Sequence, residues 1–283
     1  MRDSVILGIF LLLAGAELLS AQANLKQALT FHAPFDGGVD AAFAKGDKRL
    51  YTAPDYKKLG EAKAGLHAAQ VELARGRGRF GDALWFKKKN ARAIYYAAPG
   101  NVAFDPRNWT GTTSFWLKLD PDQDLEPGYC DPIQLTPKAY NDAAIWVDFT
   151  KDDTPRHFRL GVFGDLRSWN PQDLPPDKNP DFLNRLVVVK KTPFGRDRWV
   201  QVTVTHSGLG SGKGTAKLYL NGKLQGTTPV IKEPFTWNLA EATIRLGLSY
   251  VGLFDDLAIF DRALTDSEVA ALHGLKEGIQ SLR

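Results

Sequence analysis

The chain has 283 residues, 43% hydrophobic and 24% charged, with 36 Lys and Arg against 32 Asp and Glu and a formal net charge of +4. That balance excludes collagen-like repeats, low-complexity disorder and a multi-span membrane protein. Basic residues are dispersed, with Lys87-Lys88-Lys89 and Lys190-Lys191 the only tight clusters, so nothing marks a nucleic-acid partner.

Arg2 precedes an apolar run from Val5 to Ala14, and a more polar stretch ends in Ala21-Gln22-Ala23. A charged start, an apolar stretch of about ten residues and a small-residue site predict a secretory signal peptide over 1–23, cleaved after Ala23. The run is short of the roughly 20 apolar residues that a spanning helix needs. An uncleaved N-terminal anchor is the alternative, since Asp3 and Glu17 weaken the pattern. The remaining residues, 24–283, then form one domain that is secreted, periplasmic or on the cell surface, without membrane insertion once the signal is removed. Cys130 is the single cysteine, so no intrachain disulfide can form and stability must come from a large packed core, with or without a bound ion.

Period-2 alternation recurs along the rest of the chain. Phe115, Leu117 and Leu119 alternate with Ser114, Trp116 and Lys118, and Ile145, Val147 and Phe149 with Trp146 and Asp148. Phe158, Leu160 and Val162 alternate with Arg159 and Gly161, Val200, Val202 and Val204 with Gln201 and Thr203, and Ile244, Leu246 and Leu248 with Arg245 and Gly247. Each set predicts a strand with one face in the core. Leu218-Tyr219-Leu220 runs into Asn221-Gly222, the pair best suited to a type I′ hairpin turn. Many short strands separated by Gly, Asn and Pro predict an all-β, two-sheet antiparallel sandwich.

Residues 51–76 are ambiguous: Glu61 to Ala74 has helix-forming composition, but Gly65 and the lack of a firm 3.6-residue stripe weaken a helix. Thr265 and Glu268 form a capping box, with Leu264 and Val269 as its staple and Gly274 as the stop, which predicts a short helix over Asp266–His273. Residues 121–142 and 164–185 read as long Pro- and Asp-rich loops, the places where function is expected.

Several motifs fail on context. Gly76 to Gly81 fits G-x-G-x-x-G but leads into a strand, and Gly208 to Thr215 lacks the Ser or Thr of a phosphate loop, so no nucleotide partner is expected. Asp120 to Asp131 has acidic spacing without the glycine turn or flanking helices of an EF-hand. Five histidines are scattered, with no zinc pairing, no G-x-S-x-G elbow and no paired-carboxylate run on one strand.

Together these segments resemble the LamG-like jelly-roll family of the concanavalin A-like lectin/glucanase superfamily. Phe35-Asp36-Gly37-Gly38 is similar to its opening F-D-x-G, and Gly78-Arg79-Phe80-Gly81-Asp82-Ala83-Leu84-Trp85-Phe86 to its G-K-F-G-x-A-L-x-F segment. Thr112 to Lys118 resembles its T-x-S-x-W-V-K strand, Trp199-Val200-Gln201-Val202 its W-x-H-V strand, and Leu218 to Lys223 its L-Y-V-N-G-K hairpin. Phe254 to Leu264 is similar to its closing I-D-E-V-R-I-Y-N-R-A-L. The match runs from about residue 29 to 275. It implies a jelly roll in which Trp116 and Trp199 serve packing, with a ligand platform as the alternative, but the family holds lectins, carbohydrate-binding and adhesion modules, glycosidases and lyases, so it does not fix the function.

The expected function is a secreted, non-catalytic binding module for carbohydrate or an extracellular or cell-surface protein. The alternatives are a polysaccharide-degrading hydrolase or lyase, and a purely structural envelope module. Ligand contacts are expected from Tyr129, Asp131 and Gln134 beside the first long loop, and from Arg156, Arg159, Asp165, Trp169 and Asn170 around the second, with Trp169 at a loop tip. In the alternative, Trp169 and Tyr129 pin the loops and Arg159 pairs with an Asp. The resemblance also implies a structural Ca²⁺ near the chain ends, held by Asp36 and Asp255 with help from Asp47; otherwise Asp36 is a turn residue and Asp255 accepts backbone hydrogen bonds.

Overall fold

The computed structural model describes residues 22–283 and consists of two antiparallel sheets packed face to face. The expected signal segment lies almost wholly outside the described residues. Residues 22–28 are helical (α1), with Leu25 and Ala28 buried. In chain order there follow β1 (Leu29–Ala33), β2 (Phe43–Ala44), β3 (Leu50–Ala53), β4 (Lys63–Ala64), β5 (Val71–Ala74), β6 (Ala83–Phe86), β7 (Ala93–Ala97) and β8 (Trp109–Lys118). A single helical turn, α2 (Pro121–Asp124), leads to β9 (Cys130–Thr136), β10 (Ala144–Phe149) and β11 (Phe158–Phe163). Then come α3 (Leu166–Trp169), α4 (Pro180–Asn184), β12 (Val187–Val189), β13 (Val200–Leu209), β14 (Thr215–Leu220) and β15 (Lys223–Thr227). The chain closes with β16 (Thr243–Leu248), β17 (Gly252–Phe260) and α5 (Asp266–His273).

One sheet has the order β15-β14-β13-β8-β17-β1-β2, with β6 also pairing with β17 and β5 with β6; the other runs β12-β11-β10-β9-β16-β7-β3-β4. The alternating apolar positions named from the sequence meet between them: Phe115 and Leu117, Val202 and Phe254 face Ile133, Val147, Leu160 and Ile244 in one buried cluster. Phe115 stacks on Phe254 with ring centroids 5.0 Å apart. Burying such side chains is what holds a staple-free domain together, at about 1.5–3 kcal/mol each.

Local signals hold where they were strongest. Asn221 (φ 50°) and Gly222 (φ 74°) supply the two left-handed residues of the β14–β15 hairpin. The Thr265 side chain accepts from the Glu268 N–H while Glu268 reaches back to the Thr265 N–H, completing the capping box of α5. Leu264 and Val269 join Leu25, Ala28 and Tyr219 in a second buried cluster against the nine-stranded sheet.

Two expectations are corrected. The ambiguous 61–74 segment contains β4 and β5 rather than a helix. The stretch 121–142 is not a loop, since it contains α2, capped by Asp120, and β9, an interior strand between β10 and β16. Pro132 hid that strand: it falls where the β9–β10 register slips, and a bulge tolerates a residue that cannot donate to the ladder.

Candidate functional site

The outward face of the eight-stranded sheet carries a row of side chains at right angles to the strands. Trp146 on β10 is in register with Gly161 on β11 and Gln134 on β9. Gln134 pairs with Arg245 on β16, Arg245 with Tyr95 on β7, and Tyr95 with Tyr51 on β3. Alternation puts all of them away from the core, because their neighbours Ile145, Val147, Ile133, Leu135, Ile244 and Ile94 fill it. The bulge in β9 turns Asp131 to this same face.

Over the β9–β11 part of the row lies a cavity of about 430 Å³ lined by Tyr129, Asp131, Gln134, Tyr140, Trp146, Asp148, Lys151, Arg159, Pro176 and Phe182. Arg159 and Asp148 sit opposite each other in the ladder and form a buried bidentate pair, with Nε to Oδ1 at 2.8 Å and Nη2 on Oδ2. Tyr129 is 48% exposed at the mouth, with the Arg159 guanidinium 4.8 Å and the Lys151 ammonium 5.6 Å from its ring centroid. Gln134 Nε2 donates to Asp131 Oδ2. Burial raises the Asp131 carboxyl above its ordinary value, and the nearby Asp148 raises it further. Burial also raises Asp148, and Arg159 only offsets part of this. The arrangement joins aromatic faces to a small set of fixed donors and acceptors, the composition of a small-ligand site.

Of the residues expected from sequence, Tyr129, Asp131, Gln134 and Arg159 are brought together here, and Arg159 does have its Asp. The others are not in the cavity. Trp169 is no loop tip: it lies in α3, is 5% exposed, packs on Phe163 and Phe182, and donates Nε1 to the Asn141 carbonyl at 2.9 Å. It backs the wall that Phe182 presents. Arg156 donates to the carbonyls of Leu125, Glu126, Gly128 and Thr150, fixing the backbone that carries Tyr129. Asn170 bonds both ways to the Leu174 backbone, and Asp165 accepts from Lys138 and from Thr236 N and Oγ1. Trp146 and Asp148 were among the residues overlooked, although their alternation with Ile145, Val147 and Phe149 already placed them on this face.

The three aspartates expected to hold calcium do not form one donor set. Asp36 and Asp255 both face the turn from Gly76 to Asp82, but as acceptors for its backbone. Asp36 takes the Asp82 N–H at 2.8 Å, and Asp255 takes those of Arg79 and Phe80 at 2.6 and 3.2 Å. Burial and the adjacent Asp256 push the Asp255 carboxyl up to about 8 against these donors. Asp47 is elsewhere, chelated by Arg49 and Tyr51. Among the described residues no group of three or more His, Cys, Asp or Glu is arranged to hold a metal ion, so the set does not fit the ion. Cys130 is buried, and its thiol is pushed up to about 11 mainly by that burial, an unreactive setting.

Comparison with known proteins places this geometry in context. No curated protein matches the chain. Among solved structures, domain 4 of the extracellular arabinanase AbnA from Geobacillus stearothermophilus, in complex with arabinotriose, superposes with a TM-score of 0.52 at 17% identity, over 86% of this chain and 96% of that one. The ligand-binding domain of botulinum neurotoxin serotype D, in complex with N-acetylneuraminic acid, gives 0.59 at 12% identity over 90% of this chain. The binding domain of botulinum neurotoxin DC with rat synaptotagmin II gives 0.53 at 12% identity over 91% of this chain. The chain spans about half the length of each toxin domain, 52% in both cases. At these identities the likeness is one of fold. A family model for the concanavalin A-like lectin/glucanases superfamily, Laminin_G_3, matches residues 90–270, and the chain belongs to that superfamily.

Proposed function

We propose that the chain is a secreted or cell-surface, non-catalytic carbohydrate-binding module whose site is the cavity on the eight-stranded sheet. The observation that carries this reading is the meeting, in one cavity, of the exposed rings of Tyr129 and Tyr140 with Gln134, Asp131 and the Asp148–Arg159 pair. A sugar presents an apolar ring face and hydroxyls, which an aromatic platform beside fixed hydrogen bonders matches. Neighbours of the same fold that hold arabinotriose and N-acetylneuraminic acid support it, and the synaptotagmin complex supports a protein partner as the second reading. Hydrolysis finds less support. Asp131 and Asp148 share the cavity, but Asp148 is held at both oxygens by Arg159, so only one carboxyl remains for acid–base work.

The test is retention on immobilised neutral polysaccharides, arabinan first, with assays for reducing ends and unsaturated sugars. Retention without release is the expected result. Tyr129→Ala should weaken it by about tenfold at unchanged melting temperature. Sugar release by the wild type, lost in Asp131→Asn, would overturn the non-catalytic reading.

A further inference from the structure

A second cavity, of about 570 Å³, opens on the other sheet. Its floor is again a cross-strand row. Leu253 on β17 is in register with Trp85 on β6 and Lys118 on β8, and Trp199 immediately precedes Val200, the partner of Leu117. Trp85 and Trp199 are half-buried and pack against the outward cluster of Ala74, Ala83 and Leu253, leaving part of each indole open. Because the two sheets meet through their inner faces, this cavity and the first lie on opposite sides of the sandwich.

Its electrostatics differ from those of the first cavity. Arg77, Lys87, Lys118 and Arg196 line it, with Asp124 the one lining carboxylate. Arg196 is bonded to Asp124 at 2.6 Å and Lys87 to Glu72 at 2.8 Å, which neutralises those two cations. Among the described residues no carboxylate lies within ion-pair distance of Arg77 or Lys118. Arg77 instead lies 4.0 Å from the Trp85 ring. Asp197, which Lys118 helps to hold ionised, is chelated by Arg198. The cleft therefore offers two cations without a carboxylate of their own, Lys118 and the Arg77 that lies over Trp85, next to the part-open indole of Trp199.

A neutral ligand would use the Trp199 indole and leave the cations unmatched, and a bare inorganic anion would use the cations and leave the indole. A ring bearing an acidic group uses both, by stacking and by charge-assisted hydrogen bonds. We propose that this cleft is a second binding site, for acidic saccharides, in which the sugar ring stacks on the indole of Trp199 and its carboxylate or sulfate is held by Arg77 and Lys118. The site does not depend on the first cavity being a glycan site. With both occupied, one molecule bridges two chains of polysaccharide.

The experiment measures binding of the purified protein to polygalacturonate, dextran sulfate and uncharged dextran, by gel retardation at fixed salt. The variants are Arg77→Glu/Lys118→Glu, Lys190→Glu/Lys191→Glu, which makes the same change of net charge elsewhere, and Tyr129→Ala in the first cavity. The expected result is binding to at least one anionic polymer and a loss of about tenfold in the Arg77/Lys118 variant. The other two variants should keep wild-type binding. Polygalacturonate alone assigns a carboxylate ligand, and dextran sulfate alone a sulfated one. No binding to either polymer, equal binding of dextran, an unaffected Arg77/Lys118 variant, or equal losses in the Lys190/Lys191 or Tyr129 variants would each overturn the proposal. The last of these would move the acidic ligand to the first cavity.

Discussion

Gly161 and Trp146 stand opposite each other across the β10–β11 ladder, and the missing side chain at 161 is what lets the six-membered ring of the indole lie over it. A Cβ at 161 would press into that ring, reaching Cη2 at 2.7 Å and other ring atoms closer still. Gly161→Ala should therefore displace Trp146 and cost about 1–3 kcal/mol, as overpacking does. Urea unfolding and tryptophan fluorescence check this, with a lower midpoint and an altered emission maximum expected together. An alanine variant with both unchanged would mean that the ring does not rest there.

Trp169 supports the same wall from behind. Trp169→Ala removes a 5%-exposed ring that packs on Phe163 and Phe182, and should cost about 3–5 kcal/mol. Equilibrium denaturation measures it. A variant of wild-type stability that had lost ligand would restore Trp169 to the role of a contact residue.

The pH response follows from Asp131. Its carboxyl is raised by burial and by Asp148, so the folded protein holds a proton that the unfolded chain, with its carboxyl near about 3.9, has released. Between those two values the native state binds more protons, and stability falls as pH rises. The fall begins just above the unfolded value and ends where the folded carboxyl ionises. Asp131→Asn should flatten the decline in melting temperature between about pH 4 and neutrality, leaving the shares due to Asp148 and Asp255, whose shifts have the same sign. A slope identical to wild type would show that Asp131 is ionised throughout.

Removing divalent metal should leave the fold untouched. Asp36 and Asp255 are already matched by backbone N–H groups, and Asp47 by Arg49. Melting curves in EDTA and in excess calcium are expected to coincide. A rise with calcium would overturn this and return the aspartates to the role of metal ligands.

What could be read from the sequence was what depends on near neighbours. The alternation around Val147 and Val202, the Asn221-Gly222 turn and the Thr265/Glu268 cap each need only a few consecutive residues, and each is found in the fold. β9 needed knowledge of its partner, because Pro132 is acceptable only at the register slip against β10. The site divides in the same way. Arg159 was placed by alternation alone, whereas Arg156, 31 and 30 residues along the chain from Leu125 and Glu126, resembled a ligand contact until those carbonyls were seen around it. Tyr140 and Phe182 reach the cavity through tertiary folding that no short-range pattern reports.

Tyr56 covers the β16–β7 part of the cross-strand row. Its ring lies 4.7 Å from the Arg245 guanidinium, its hydroxyl donates to the Ile94 carbonyl, and Tyr95 beside it is 8% exposed. Of the strands that the row crosses, only β11, β10 and β9 are left open beneath the cavity. The hydrogen-bond ladder thus acts as a ruler: two inter-strand steps of about 4.8 Å give a footprint of about 10 Å with a stop at β16. A glycan bound there as proposed would meet a wall rather than a through-channel. In a size series of oligosaccharides, affinity should climb over the first few units and then level off, and the terminus of a chain should be gripped in preference to its middle.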